Sequence, residues 1–522
     1  MSNWPEMDLL ATRAATSPEE IAVIDAGEGS AVETDDRDSP ADDVSRLSYA
    51  DLDSLADDLA RRLTTLGIEP GEHVATLLDT GLPFVAVVHA LDRLGAVLVP
   101  LNVRLTPEES AAQCERVGVE TLLSDAAQAE QAEAVAADLQ DRSDAEHRVV
   151  LVDGETDSGT AVWDREPVDS LPVIERSPTD RRLVLFTSGT TGTPKAVPLT
   201  TGNLLASAVA SAFRLGISPD DRWLCALPMY HMGGLAPVLR STLYGTTAVL
   251  QSSFDAERTP ALARTHDITG LSLVPTMLHR VLDADEALPD SLRFVLLGGG
   301  PADASLIERA DREWVPVCPT YGMTEAASQI ATARPAEAVE HEGTVGRPLF
   351  GTEVTIVDEA ATPVETGETG EIVVSGPTVT PGYIEASATA DAFGPYGLHT
   401  GDLGHRDEGG RLWITGRRVD RIVTGGENVD PDEVRTTLRE HPAVEDAAVV
   451  GIDDEEWGQR VAALVVPSEE ARPDADLLRD HCRERLAGYK LPRSIAVAET
   501  LPRTASGTVD RAAVRRRLVD GA

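Results

Sequence analysis

The chain has 522 residues, long enough for several hydrophobic cores and about two to four structural units. It carries 88 acidic against 45 basic residues, a formal charge of −43, with carboxylates scattered through most of its length. No basic face is visible that could hold a nucleic-acid backbone, so a nucleic-acid partner is excluded.

Only two of the basic residues are lysines, Lys195 and Lys490. Acidity with so little lysine predicts a halophilic surface, adapted to molar salt, where the Debye length falls to about 3 Å and self-repulsion is screened. The amino terminus, Met-Ser-Asn-Trp-Pro-Glu, lacks the basic start and apolar core of a signal peptide. The most apolar region, 74–101, is broken by Asp79, Asp92 and Arg93, which argues against a membrane span. Cys114, Cys225, Cys318 and Cys482 are far apart and lack metal-site spacing; they read as small buried hydrophobes in a reducing cytoplasm.

In chain order, residues 28–45 form an acidic stretch with Pro, Gly and Ser that reads as a surface loop. Helical blocks at 49–66 and 83–94 alternate with strand-like runs at 74–78 and 97–99, an α/β pattern with buried parallel strands. A second acidic stretch, about 125–144, is rich in Ala, Gln and Glu and predicts an exposed helix. A polar connector follows over 153–178. The apolar run 183–186 then reads as a buried strand, 196–199 as a second one, and a helix is expected from near Thr201.

Between those two strands lies Thr187-Ser188-Gly189-Thr190-Thr191-Gly192-Thr193-Pro194-Lys195. Glycines let the backbone approach an anion, hydroxyls and amides donate to phosphate oxygens, and the lysine adds a point charge. It is not a Walker A loop, because Pro194 precedes the lysine and a strand, not a helix, comes next. Strand-like runs continue at 224–227, 247–250, 271–274 and 294–297. Over about 346–415 short Val/Ile runs between Gly and Pro predict a β-rich subdomain. Helices at 431–441 and 476–486, with strands at 447–450 and 461–466, complete a compact α/β carboxy-terminal part.

Further motifs punctuate this plan. Pro228-Met-Tyr-His231-Met-Gly233-Gly234-Leu235 follows a strand, and a lone histidine there is usually a core or capping residue. Gly298-Gly299-Gly300 ends a strand, and taken alone a tight turn explains it. Tyr321-Gly322-Met323-Thr324-Glu325 exceeds what a helix cap with an acidic first turn would need. Thr400-Gly401-Asp402 and Gly416-Arg417-Arg418-Val419-Asp420, the latter running on to Gly425-Gly426, complete the set.

Taken together these blocks resemble the acyl-adenylate-forming superfamily of acyl-CoA ligases, luciferases and peptide-synthetase adenylation domains, in its order and over essentially the whole chain. Pro275-Thr-Met-Leu278, the triple glycine and above all Ser328-Gln329 most resemble the 2-succinylbenzoate–CoA ligases of menaquinone biosynthesis. The resemblance implies an α/β fold: a large amino-terminal domain, 1–418, including the β-rich subdomain, and a small mobile carboxy-terminal domain, 419–522, pivoting at Val419. It implies ATP, Mg²⁺ and CoA acting with a small carboxylate substrate in a soluble, cytoplasmic ligase.

Residue by residue, it implies that the loop 187–192 and Lys195 hold phosphates and that His231 borders the acyl pocket. Gly298 to Gly300 and Tyr321 to Met323 would receive adenine, Thr324 the α-phosphate, and Glu325 the metal, a hard cation that prefers oxygen. Asp402 would hold ribose, Arg417 ribose or phosphate, and Gly425 and Gly426 would line the pantetheine channel. The valine pivot is a modest departure from the family's usual polar residue. A larger one is Leu501-Pro-Arg-Thr-Ala-Ser-Gly507-Thr508, where the family carries lysine after the glycine. Lys490, Arg503 and Arg511 are the cations left nearby. Another aryl or medium-chain acyl–CoA ligase, a degenerate adenylate-binding protein, and self-association all stay open.

Overall fold

The structure is a computed structural model that describes residues 8–27, 45–142, 145–153, 160–187, 194–417, 422–424, 427–454, 458–468, 474–483, 485–486, 488–504 and 508–520. The chain divides into two compact units that interleave in sequence. One comprises residues 1–354, 374–398 and 410–412; the other comprises 355–373, 399–409 and 413–522.

The first unit is α/β, as the alternating blocks predict. Its seven-stranded sheet runs Thr160–Ala161, Arg148–Leu151, Thr121–Ser124, His73–Leu77, Val97–Pro100, Arg181–Thr187, Lys195–Thr200. Pairing is parallel until the last two strands, which form an antiparallel hairpin with Thr187 opposite Lys195. The nine-stranded sheet runs Arg347–Pro348, Ser328–Thr332, Val317–Met323, Phe294–Leu297, Gly270–Leu273, Arg222–Cys225, Thr247–Leu250, Ile21–Asp25, Ser45–Ser48. Its central strands are parallel and mostly apolar inside, as at Leu271 and Val295, because helices cover such sheets on both faces. Leu91 and Leu94 of helix Leu82–Leu94 and Leu235 of helix Met232–Tyr244 share one core with residues of both sheets.

Two expectations need correction. The acidic stretch near 125–144 holds helix Ala129–Arg142, which is not simply exposed: Ala132, Val135 and Leu139 are buried at helical spacing. Ser45, assigned to the first acidic loop, instead begins a strand antiparallel to Ile21–Asp25; residues 28–44 lie outside the described residues. Short strands fill the stretch read as β-rich, among them Glu353–Val357, Gly370–Ser375, Gly397–Arg406 and Leu412–Arg417.

In the second unit a long hairpin, Val444–Asp454 against Gly458–Pro467, carries the fold. Successive residues face opposite layers, so Val449 and Val465 pack with Val434, Leu438 and Leu478, whereas Val450 and Leu464 pack with Val514 and Leu518. The covering helices are Pro431–Arg439, Ala475–Arg483 and Arg511–Asp520. All four cysteines are free and buried, and burial pushes the Cys482 thiol up to about 11. Among the described residues no helix is long and apolar enough to cross a membrane.

Candidate active site

The parallel strands of the nine-stranded sheet deliver several motif residues to one edge, at their carboxyl ends, where open α/β sheets bind ligands. Gly298 follows strand Phe294–Leu297, and a Cβ there would meet Thr320 Cγ2 at 2.8 Å. Gly299 has φ +78°, a conformation that favours glycine. These two are therefore explained by backbone approach and turn geometry. Next in the sheet, Val317–Met323 turns back into Ser328–Thr332. The turn is so close that a Cβ on Gly322 would lie 1.7 Å from the Ser328 carbonyl oxygen. Where the returning strand begins, Ala327 and Ser328 have φ +51° and +108°. Two adjacent non-glycine residues in this region store backbone strain of the kind that clusters at functional sites.

Thr324 opens a one-turn helix, Thr324–Ala326, and Glu325 within it is buried. The Glu325 carboxylate accepts a hydrogen bond from the Tyr383 hydroxyl at 2.9 Å. On the other side, the Lys195 ammonium lies 4.7 Å from the centre of the Tyr383 ring. Thus Lys195 and Glu325, both singled out in the sequence, are brought to one aromatic side chain that was not. The hairpin brings Thr187 beside Lys195, whereas Ser188, Gly189, Thr190, Thr191 and Gly192 lie outside the described residues.

His231 caps helix Met232–Tyr244, and its ring packs edge-on against Tyr230 at 4.8 Å. Burial, helped by the charge of Arg104, holds its imidazole below the usual range, so it is neutral at physiological pH. Gly234 serves packing: a Cβ there would come within 2.3 Å of the Leu227 carbonyl oxygen. On the same helix stands a residue that the motifs did not indicate. Arg240 is 3% exposed; its guanidinium donates to Ser207 Oγ at 3.0 Å, and Ser207 Oγ donates to the Ala327 carbonyl at 2.7 Å. Burial lowers its pKa, and no carboxylate is recorded as its ion-pair partner among the described residues. A mid-helix arginine carries no sequence signal of burial.

The second unit brings Asp402 and Arg417 together, with Arg417 Nε 3.2 Å from the buried Asp402 carboxylate. Arg417 also lines a cavity of about 260 Å³ with Thr369, Leu403, Gly416 and Asp430. Asp430 caps helix Pro431–Arg439. Burial raises its pKa to about 6, against the opposing hydrogen bond from the Asp432 amide, with Asp432 and Glu433 adding like charge. Lys490 is held by Glu433. The Thr508 side chain meets the Thr504 hydroxyl at 2.8 Å, and the Thr504 amide donates to the Thr508 carbonyl at 2.7 Å. Arg503 pairs with Asp446 at 3.0 Å, and Arg511 lies 3.8 Å from Asp432. Val419, Gly425 and Gly426 lie outside the described residues.

Among the described residues no group of three or more His, Cys, Asp or Glu side chains could hold a metal alone. A single buried carboxylate, Glu325, fits a magnesium ion whose other ligands are nucleotide phosphates and water.

Residues 10–384 match the AMP-binding enzyme family, and 433–508 match the AMP-binding enzyme C-terminal domain. The 2-succinylbenzoate–CoA ligase of Geobacillus kaustophilus is 39% identical over 99% of this chain and 98% of its own length. The o-succinylbenzoate CoA synthetase of Bacillus subtilis, in complex with its acyl-adenylate intermediate, is 35% identical at TM-score 0.84, over 97% of this chain and 98% of that one. The same enzyme in complex with ATP and magnesium ion gives 0.84 and 35% over 98% and 99%. By sequence and by architecture, this chain belongs to the AMP-binding enzyme family.

Proposed function

We propose that this protein is an ATP-dependent acid–CoA ligase whose acid is 2-succinylbenzoate, acting in the cytoplasm. One carboxylate of the acid attacks the α-phosphate of ATP, expelling pyrophosphate. The CoA thiol then attacks the acyl-adenylate, giving the thioester and AMP. The relatives named above support the reaction, and Arg240 is the observation that carries the choice of acid. A guanidinium removed from water without a carboxylate partner is costly. Among the described residues no carboxylate pairs with Arg240, and the second carboxylate of 2-succinylbenzoate, which stays charged after the first is adenylated, would supply that anion. Arg240 reaches, through Ser207, the strained turn just after Glu325.

Catalysis here is alignment and charge stabilisation. Lys195 and Thr324 would meet phosphate oxygens, with Thr187 to Gly192 around them; neutral His231 would border the acyl group without adding charge. Gly298 to Gly300 and Tyr321 to Met323 would receive adenine. Asp402 would take the ribose hydroxyls, Arg417 ribose or phosphate, and Gly425 and Gly426 would line the pantetheine path. Glu325 would hold magnesium, which supplies charge neutralisation on the phosphates. The reading divides the chain into 1–418 and 419–522.

Thr508 favours one second reading, an adenylate-binding protein with little ligase activity. Incubating the protein with ATP, CoA and 2-succinylbenzoate in molar KCl, and following AMP and thioester, separates the two. Stoichiometric thioester and AMP is the expected result; adenylate without thioester, or neither, overturns the ligase reading.

A further inference from the structure

Tyr383 contacts the two charged residues assigned to the phosphate end of the site. Its ring lies 4.7 Å from the Lys195 ammonium, inside the range of about 6 Å over which a cation is attracted to a π face. Its hydroxyl donates to Glu325 Oε1 at 2.9 Å. Tyrosine and glutamate are 9% and 5% exposed, so both contacts are less screened than at a surface.

The backbone around Tyr383 is stitched to both partners. The Thr380 amide donates to the Glu325 carbonyl at 2.7 Å, and its hydroxyl donates to the Pro198 carbonyl at 2.6 Å, three residues beyond Lys195. The Ile384 amide donates to the Ala196 carbonyl at 3.0 Å. Asn203 holds the carbonyls of Pro377 and Val379 at 2.8 and 2.9 Å. Residues 377–384 are therefore fastened to the lysine strand on one side and the glutamate turn on the other. An ammonium and a carboxylate joined directly would neutralise each other and blunt both toward a ligand. An aromatic side chain that touches both orients each charge while leaving it charged, since it offers a π face to one and a neutral hydroxyl to the other.

We propose that Tyr383 is a positioning residue that holds the Lys195 ammonium and the Glu325 carboxylate at a set separation, so that the first meets the phosphates and the second the magnesium ion of Mg·ATP. This rests on the roles given above to Lys195 and Glu325.

The test is calorimetric titration of the full-length protein with ATP over a series of Mg²⁺ concentrations, in 2 M KCl, without acid or CoA. Tyr383→Phe keeps the ring and loses the donor; the Mg²⁺ needed for half-maximal ATP affinity should rise about tenfold, as for loss of a hydrogen bond to a charged group. Tyr383→Leu also loses the ring, and ATP affinity at saturating Mg²⁺ should fall a further two- to fivefold or about that. Adding Tyr383→Phe to Glu325→Gln should cost little more than Glu325→Gln alone. The proposal is overturned if both Tyr383 variants leave the Mg²⁺ dependence unchanged, whatever happens to the melting temperature, or if the Tyr383 and Glu325 losses add. Lys195→Arg and Glu325→Gln run alongside: if these bind Mg·ATP like the parent, the site reading itself fails, whereas impairment of these alone removes only the role of Tyr383.

Discussion

Both carboxylate oxygens of Glu433 lie 2.7 Å from the Lys490 ammonium nitrogen. One of the chain's two lysines is thereby engaged inside the second unit, with Tyr489 offering its ring at 5.9 Å. The hydrogen bond to Glu433 raises the lysine's pKa above its ordinary value. A raised cationic pKa contributes stability at pH below the ordinary lysine range, and that contribution is lost as pH climbs through the folded value. Lys490→Ala should therefore cost about 0.2–1 kcal/mol at pH 7, as partly exposed pairs do, and progressively less in strongly alkaline buffer. Chemical denaturation of both proteins at several pH values measures it.

Asp430 should respond with the opposite sense. Its pKa of about 6 is above that of an unfolded aspartate, so the folded state favours the protonated form. Stability is then present at pH below about 4 and is lost as pH rises from there through about 6. Asp430→Asn keeps a capping side chain and removes the ionised form. It should stabilise the protein at pH 7–8 by about 1 kcal/mol, discounted for partial exposure, and change little at pH 4. Equal differences at both pH values would refute the burial of a charge as the cause.

Arg240→Met is expected to separate binding from folding. Removing a buried guanidinium whose recorded partner is a hydroxyl should leave the melting temperature unchanged or higher, because its desolvation penalty goes with it. The KM for 2-succinylbenzoate should rise by about 10²-fold, as for loss of a buried charge-assisted contact. Steady-state kinetics and thermal scans on one preparation decide it; a melting temperature several degrees lower with unaltered KM would make Arg240 structural.

Thr508→Lys tests the departure at the carboxy-terminal signature. The Thr508 hydroxyl pairs with that of Thr504. Lysine there should speed pyrophosphate release by about 10²-fold, the scale of restoring one charge at a developing transition state. Capture of preformed adenylate by CoA should barely change. Rapid-quench measurement of each half-reaction would show a slowed or unaltered first step if Thr508 does not stand in the lysine's place.

The charge of −43 predicts salt-dependent stability. Self-repulsion destabilises the compact state when screening is weak, so the protein should melt at a higher temperature in 2 M than in 0.1 M KCl. Identical melting curves would count against a surface adapted to high salt.

What could be read without a structure was what depends on neighbours in sequence. The parallel strands announced themselves as unbroken apolar runs, and Gly299 answers a local demand of the backbone. The strings from Thr187 to Lys195 and from Tyr321 to Glu325 stood out by composition and order, and they carry the proposed site. The two apolar runs flanking the polar string were legible as strands, whereas their antiparallel pairing with Thr187 opposite Lys195 came from the structure.

Tertiary structure alone decided what depends on distance along the chain. Tyr383 meets Glu325 from 58 residues away, and nothing in its neighbourhood says which charges its ring and hydroxyl will touch. Arg240 looks like any helical arginine until the turn at Ala327 and the helix carrying Ser207 close over it. Helix Ala129–Arg142 has a composition that suits solvent, yet three small or aliphatic residues at helical spacing are buried in a core its own sequence does not name. Glycine 322 follows the same logic, since the Ser328 carbonyl that forbids it a side chain arrives from the returning strand. Local propensity and motif order are set by short-range sterics and hydrogen bonding. Burial and the identity of a polar partner are set by which distant surfaces pack together, and a single sequence does not display that.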